Sequence, residues 1–302
     1  MNARQRHVLK ARKVRFDLGE SPVHWLPDDV FSSQMVNGIH LLLPAGELWF
    51  CRVYNQALPY VTDAQLREEV IGFIRQEGVH AQAHRKGESW LQANGYDVHE
   101  FSLRIDWVFE QFLGENPFAL PMLKRKWSQR QWLVFRVGLV AAIEHFTGLI
   151  GDWCMNSDGW DQGDPVVADL FRWHLAEEVE HRTVAFDLYE HLCRTQTGFY
   201  VSRQAIMAIV FPLFLYLIAE SGRCLGRQDS HPDAQRFARK TAMSVLFQLE
   251  HVGRRTGNVP TMSLIVRRTL RWLSPRFHPR HEGNTEQALA YIARSPAANA
   301  AA

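Results

Sequence analysis

Apolar residues recur every three or four positions through most of this chain, and no segment keeps the strict alternation of a half-buried strand. The expected fold class is therefore all-α. Helical patterning starts near Phe31, with Pro44 marking a kink or a fresh start, and Pro59 ends that stretch. Thr62-Asp63 followed by Gln65 is a capping signature for the next helix, which reaches the Asn94-Gly95 pair. Phe101, Ile105, Val108 and Phe112 predict a helix over 97–115. Ser128 is placed to cap a helix that ends at Ser157-Asp158-Gly159. Asp164-Pro165 opens one that runs to about Arg194. Further helices are expected over 231–252 and 260–273. Residues 204–219 carry no charge. They are too few for the roughly 20 residues that span a bilayer, and Pro212 interrupts them. A buried helix is the first reading of this run, and a membrane-embedded or interfacial segment flanked by Arg203, Arg223 and Arg227 is the alternative.

Charged residues that interrupt this apolar pattern carry the candidate chemistry. In W-H-L-A-E-E-V-E-H, a helical advance of 100° per residue puts His174, Glu178 and His181 within an arc of about 60°. Two imidazoles and a carboxylate on one stripe offer the mixed N and O donors of a transition-metal site. A second Glu-x-x-His, Glu77 and His80, lies about a hundred residues earlier. Each motif is preceded by a lone glutamate in an apolar helix: Glu47 in P-A-G-E-L-W-F and Glu144 in V-A-A-I-E-H-F. A buried carboxylate without a partner is costly, and a metal compensates it. Glu47 stands 30 residues before Glu77 and Glu144 stands 34 before Glu178, so each pair reads as one helical hairpin. One Glu from each of two helices and Glu-x-x-His from each of the other two is the ligand set of a dinuclear four-helix bundle, with one long crossover between the hairpins.

Several neighbours are weighed beside these. His84 is seven residues after Glu77 and is either a further ligand or a group that supports one. Asp187 could orient a ligand imidazole from another helix. Glu177 would replace Glu178 only if the helix were rotated, Glu180 points off the stripe toward solvent, and His145 reads as a packing residue. Thr147, Gly148 and Gly151 continue the Glu144 face with small side chains that would leave room for oxygen or substrate.

Composition narrows the picture. A chain of 302 residues with 46% hydrophobic and 22% charged content has ample core material and is not disordered. Four dispersed cysteines form no C-x-x-C pair, which argues against a zinc ribbon or disulfide scaffold and for a reducing compartment. The basic N-terminus has no apolar core of a signal peptide, so a cytoplasmic location is expected, with membrane association open. The net charge of +2 conceals an asymmetry: residues 222–302 hold 13 Lys+Arg against 5 Asp+Glu, leaving the remainder acidic. Such a basic region suits either an anionic membrane surface or plain solvation, and no specific nucleic acid is expected. The expected organisation is an irregular arm over 1–30, the metal-binding bundle over 31–198, apolar and basic helices over 199–280 packed on it, and a disordered tail over 281–302.

The segments G-E-L-W-F, F-I-R-Q-E-G-V-H-A-Q-A-H, E-H-F-T-G and W-H-L-A-E-E-V-E-H-R-T-V-A-F-D-L-Y resemble the ferritin-like di-iron carboxylate superfamily. More closely, they are similar to a bacterial family of predicted metal-dependent hydrolases, over roughly residues 15–275. The His-x-x-x-Glu-x-x-His element also resembles the p-aminobenzoate N-oxygenase family, in which a third histidine joins the usual two. These resemblances imply a ferritin-like bundle with additional C-terminal helices. Two metal ions would be held by Glu47, Glu77, His80, Glu144, His174, Glu178 and His181, iron first, with manganese or zinc as alternatives. The expected activity is O₂-dependent oxidation of a small hydrophobic substrate, served by an electron donor. The alternatives are a hydrolase using metal-activated water and a non-catalytic iron binder.

Overall fold

The computed structural model describes residues 8–125 and 128–301, and among these every regular element is helical. Residues 8–29 form an irregular segment that buries Val14, Phe16 and Leu18 against the helices. Helix α1 (Val30–Asn37) is capped by Asp29, and a single 3₁₀ turn, Gly38–Leu41, leads to α2 (Leu43–Ala57). Pro44 sits in the first turn of α2, where its missing N–H costs nothing, so it begins the helix and does not kink it. Helix α3 (Ala64–Ala93) starts where the Asp63 carboxylate accepts from the Leu66 N–H.

The crossover carries α4 (His99–Trp107) and a π-helical turn, Val108–Phe112, shorter than the helix expected over 97–115. Ser128 and Gln131 form a capping box at the start of α5 (Gln129–Met155). Asp164 and Pro165 open α6 (Pro165–His181), whose first N–H groups bond to the Asp164 carboxylate. The helix expected to reach Arg194 stops at His181. Two non-helical residues, Arg182 and Thr183, separate it from α7 (Val184–Leu192).

The uncharged run 204–219 lies inside a longer helix than expected, α8 (Gln196–Gln228), which continues through Pro212. Proline removes the bond to the carbonyl four residues back. Ala208 and Pro212 are both exposed, so that carbonyl faces solvent. The segment expected as one helix over 231–252 is two, α9 (Pro232–Ala238) and α10 (Ala242–Thr256), because Thr241 caps a fresh start. Then comes α11 (Met262–Arg271).

The tail expected to be disordered is folded. It forms α12 (Thr285–Arg294) and α13 (Pro296–Ala300), which pack on α6. Asp169 anchors it, accepting from Tyr291 Oη at 2.8 Å, Ser295 Oγ at 3.1 Å and the Ala297 N–H at 3.2 Å.

Four helices position the candidate site. Helices α2 and α3 pack together across a short turn, as do α5 and α6, while α2 also touches α5 and α3 touches α6. Glycines set the closeness of α5. A Cβ at Gly151 would come within 2.6 Å of the Leu175 carbonyl, and one at Gly138 within 2.5 Å of Ile206. Gly151 therefore serves contact between α5 and α6, and the space expected there for oxygen or substrate is filled. The remaining helices wrap this group, with α8 packed against α1, α5, α9 and α10.

Candidate metal centre

All seven carboxylates and imidazoles singled out by the sequence pattern converge inside these four helices, each no more than 3% exposed. They fall into two groups whose donor atoms lie within 4.8 Å of one another: Glu47, His80 and His174 in one, Glu77, Glu144, Glu178 and His181 in the other. Glu178 stands between them. Its Oε1 is 2.8 Å from His174 Nε2 and 3.3 Å from His80 Nδ1, while its Oε2 is 3.3 Å from His181 Nε2. His174 Nε2 also lies 3.5 Å from Glu47, and His181 Nε2 lies 3.2 Å from Glu77 and 3.4 Å from Glu144.

These approaches do not satisfy the carboxylates. Both oxygens of Glu47, Glu77 and Glu144, together with His80 Nδ1, are buried without an aligned hydrogen bond from the protein. Groups of this kind are ordinarily paired, and here they point at common centres. Burial, reinforced by the neighbouring carboxylates, raises the pKa of Glu47, Glu77 and Glu144 above the ordinary carboxyl range. Burial opposes ionisation of Glu178 too, but His181, His174 and His80 around it hold its carboxyl well below that range. Burial would likewise lower His80 and His181, yet the facing glutamates raise both. A set of mixed imidazole and carboxylate donors fits iron, manganese or zinc.

Each histidine is oriented from behind, the arrangement that fixes a ligand imidazole. His80 Nε2 is 2.9 Å from Glu177. Donation to that carboxylate leaves Nδ1 facing Glu178. His181 Nδ1 is 3.0 Å from the Gln76 amide oxygen, and the Gln76 amide nitrogen donates to Glu180 at 2.8 Å. Arg12, from the irregular N-terminal segment, closes both paths: its guanidinium donates to Glu177 at 2.5 Å and to Glu180 at 2.9 Å. His174 Nδ1 is 2.7 Å from His84 Nε2, and His84 Nδ1 is 2.8 Å from His40 Nδ1 in the turn before α2. Burial holds all three of these histidines neutral, pushing His40 to about 3, His174 to about 4 and His84 well below its usual value. One proton per ring then runs in a single direction: His174 donates to His84, and His84 donates to His40.

This geometry revises four readings. His84 supports His174 and belongs to neither donor group. Glu180 is buried and paired, where solvent was expected; the arm that brings Arg12 to it lies 168 residues away in sequence. Glu177 holds His80 without replacing Glu178. Asp187, expected to orient a ligand, bonds to His278 Nε2 at 2.8 Å, because the break at Arg182 and Thr183 ends the helical phase of α6 before α7 begins. Asp187 instead joins Glu190 and His278 in a third, half-buried group. His145 is buried beside Trp272 and Phe277 as a packing residue.

Sequence reasoning missed Arg12, Gln76, His40 and Tyr54. The only local signal was Gly87, where a Cβ would lie 2.3 Å from the His40 ring.

The model of the predicted metal-dependent hydrolase family matches residues 10–283, almost the entire chain. The chain belongs to that family. The matched region includes Arg12 and every residue of both donor groups, so the family's extent takes in the whole candidate centre along with the helices through α11. No curated protein and no solved structure matches it.

Proposed function

We propose that this protein is a metal-dependent hydrolase in which a ferritin-like four-helix arrangement holds two divalent ions. Glu47, His80 and His174 would hold one, Glu77, Glu144 and His181 the other, with Glu178 shared. Four carboxylates offset the charge of two divalent cations, so the occupied centre is neutral inside a low-dielectric interior. The observation that carries this reading is the set of six buried carboxylate oxygens without hydrogen bonds, aimed at two points. Metal ions there supply Lewis acidity and a water acidified toward neutral pH.

The chain's own residues supply orientation and one proton. Glu177, Gln76 and His84 fix the three imidazoles. Tyr54, on α2 two turns past Glu47, is fully buried, stacks on Phe73 at 4.7 Å, and has no partner for its hydroxyl. Burial, with the charges of Glu144 and Glu77, keeps that phenol protonated. It is placed to donate to an oxygen of the bound substrate. The enclosing apolar walls favour a small hydrophobic ester or amide.

The family description supports hydrolysis over the oxygen activation expected from the sequence, and hydrolysis needs no electron donor. Protein reconstituted separately with zinc, manganese and ferrous iron should hydrolyse members of a panel of apolar chromogenic esters and amides under nitrogen. Tyr54→Phe should retain metal and lower kcat. Oxygen uptake by the ferrous form, without hydrolysis by any metal form, would instead assign oxidative chemistry.

A further inference from the structure

Helices α5 and α8 are both long and apolar enough to cross a membrane, but they differ in what surrounds them. In α5, 78% of the apolar stretch is buried inside the protein; in α8 only 39% is. One face of α8 is core, and the opposite face leaves Ile209, Leu213 and Tyr216 exposed on a stretch without a charged side chain. Helix α10, packed on α8, adds Phe247 at 72% exposure. Helix α11, packed on α10, adds Leu270, and Leu273 just beyond it is tied to α8 where its carbonyl accepts from Tyr200 Oη at 2.9 Å. Soluble monomers seldom expose contiguous apolar surface on this scale without using it.

Charge decides what covers this face. Residues 262–281 contain Arg267, Arg268, Arg271, Arg276 and Arg280 and no acidic residue. The arginines that flank the apolar run contribute less. Arg203 is buried among Phe186, Phe199, Tyr200, Trp272 and Phe277, and Arg223 and Arg227 face Glu220. A second copy seated on the same face would bring two arginine-rich strips together. An anionic bilayer satisfies both the apolar side chains and the arginines.

We propose that the exposed face of α8, α10 and α11 docks on an anionic lipid surface, with the apolar side chains entering the headgroup boundary and the α11 arginines meeting lipid phosphates. The protein lies on the bilayer and does not span it, because the other face of α8 is committed to the interior through Arg203, Ser221 and Gly222, the last against Met35. This inference is independent of the chemistry of the metal centre.

Flotation of the full-length, metal-loaded protein tests it, using vesicles of phosphatidylcholine alone and of phosphatidylcholine with phosphatidylglycerol. Binding is expected only to the anionic vesicles, and is expected to be lost near 1 M salt, where the Debye length falls to about 3 Å. Arg267→Gln and Arg276→Gln should each weaken it about fivefold. The pair Leu213→Asp and Phe247→Asp should abolish it while circular dichroism and metal content stay unchanged. If that double variant fails to fold, the exposed arginine variants still decide the matter. Absence of vesicle binding, or equal binding to neutral and anionic vesicles, would overturn the proposal. So would self-association in sedimentation that Leu213→Asp abolishes, which assigns the face to a second copy. Protein extracted only by detergent would overturn it in favour of an integral helix.

Discussion

Arg12 and Glu177 meet at 2.5 Å across 165 residues of sequence, and through Glu177 the N-terminal segment reaches His80 of the candidate metal centre. The same guanidinium holds Glu180, which reaches His181 through Gln76. One cation thus balances both carboxylates that stand behind the histidines. Burial alone would lower the pKa of Arg12, but the two glutamates overcome it and raise it.

Removing that cation leaves two buried carboxylates unpaired. Breaking a buried pair costs about 3–5 kcal/mol, and the partial exposure of Arg12 puts the expected loss at the lower end of that range. Arg12→Ala should also weaken metal binding about tenfold or more, the usual effect of losing an outer partner of a ligand. Arg12→Lys should recover part of both. Urea unfolding and chelator competition measure the two effects separately. Glu180→Ala should reduce metal affinity as well, contrary to what its helical spacing suggests.

Gly87→Ala tests the histidine chain from a position that touches no donor group. The new methyl would displace His40, which supports His84 and through it His174. Metal affinity should fall about 10–100-fold, and His84→Ala should do the same. A Gly87→Ala protein of reduced stability but unchanged affinity would limit this glycine to packing.

His145 gives a pH dependence separable from the metal centre. Burial, with Arg268 and Arg271 nearby, pushes its pKa down to about 3. The unfolded chain takes up a proton near pH 6.5, so it binds more protons than the folded state below that pH. This group's contribution is therefore complete above pH 6.5 and lost as pH falls through the window toward 3. At pH 5 the loss is about 2 kcal/mol. His145→Gln should lose less stability between pH 7 and 5 than the unmodified protein by that amount. Equal losses in urea titrations at the two pH values would contradict the assignment.

How far the sequence could be read follows from the range of the interactions involved. The seven donors were legible because they lie on helices, where spacings of three and four fix a common face, and because buried glutamates stand out in apolar surroundings. The caps at Asp63, Ser128 and Asp164 were legible for the same local reason. Arg12 was not, since nothing near it reveals that its segment crosses α3 and α6. Asp187 was misjudged because no periodicity announces the break at Arg182 and Thr183. The tail beyond residue 281 reads as Ala-rich and weakly patterned; what orders it is Asp169, more than a hundred residues earlier, which accepts three hydrogen bonds from it.

The account rests on two donor groups joined by Glu178, and native mass spectrometry of the metal-reconstituted protein tests that most directly by counting ions per chain. Two ions are expected in the unmodified protein. One is expected in Glu47→Ala, which spares the group of Glu77, Glu144 and His181, and weakened binding at both positions is expected in Glu178→Ala. A single ion in the unmodified protein, retained in Glu47→Ala and Glu144→Ala alike, would contradict the dinuclear centre.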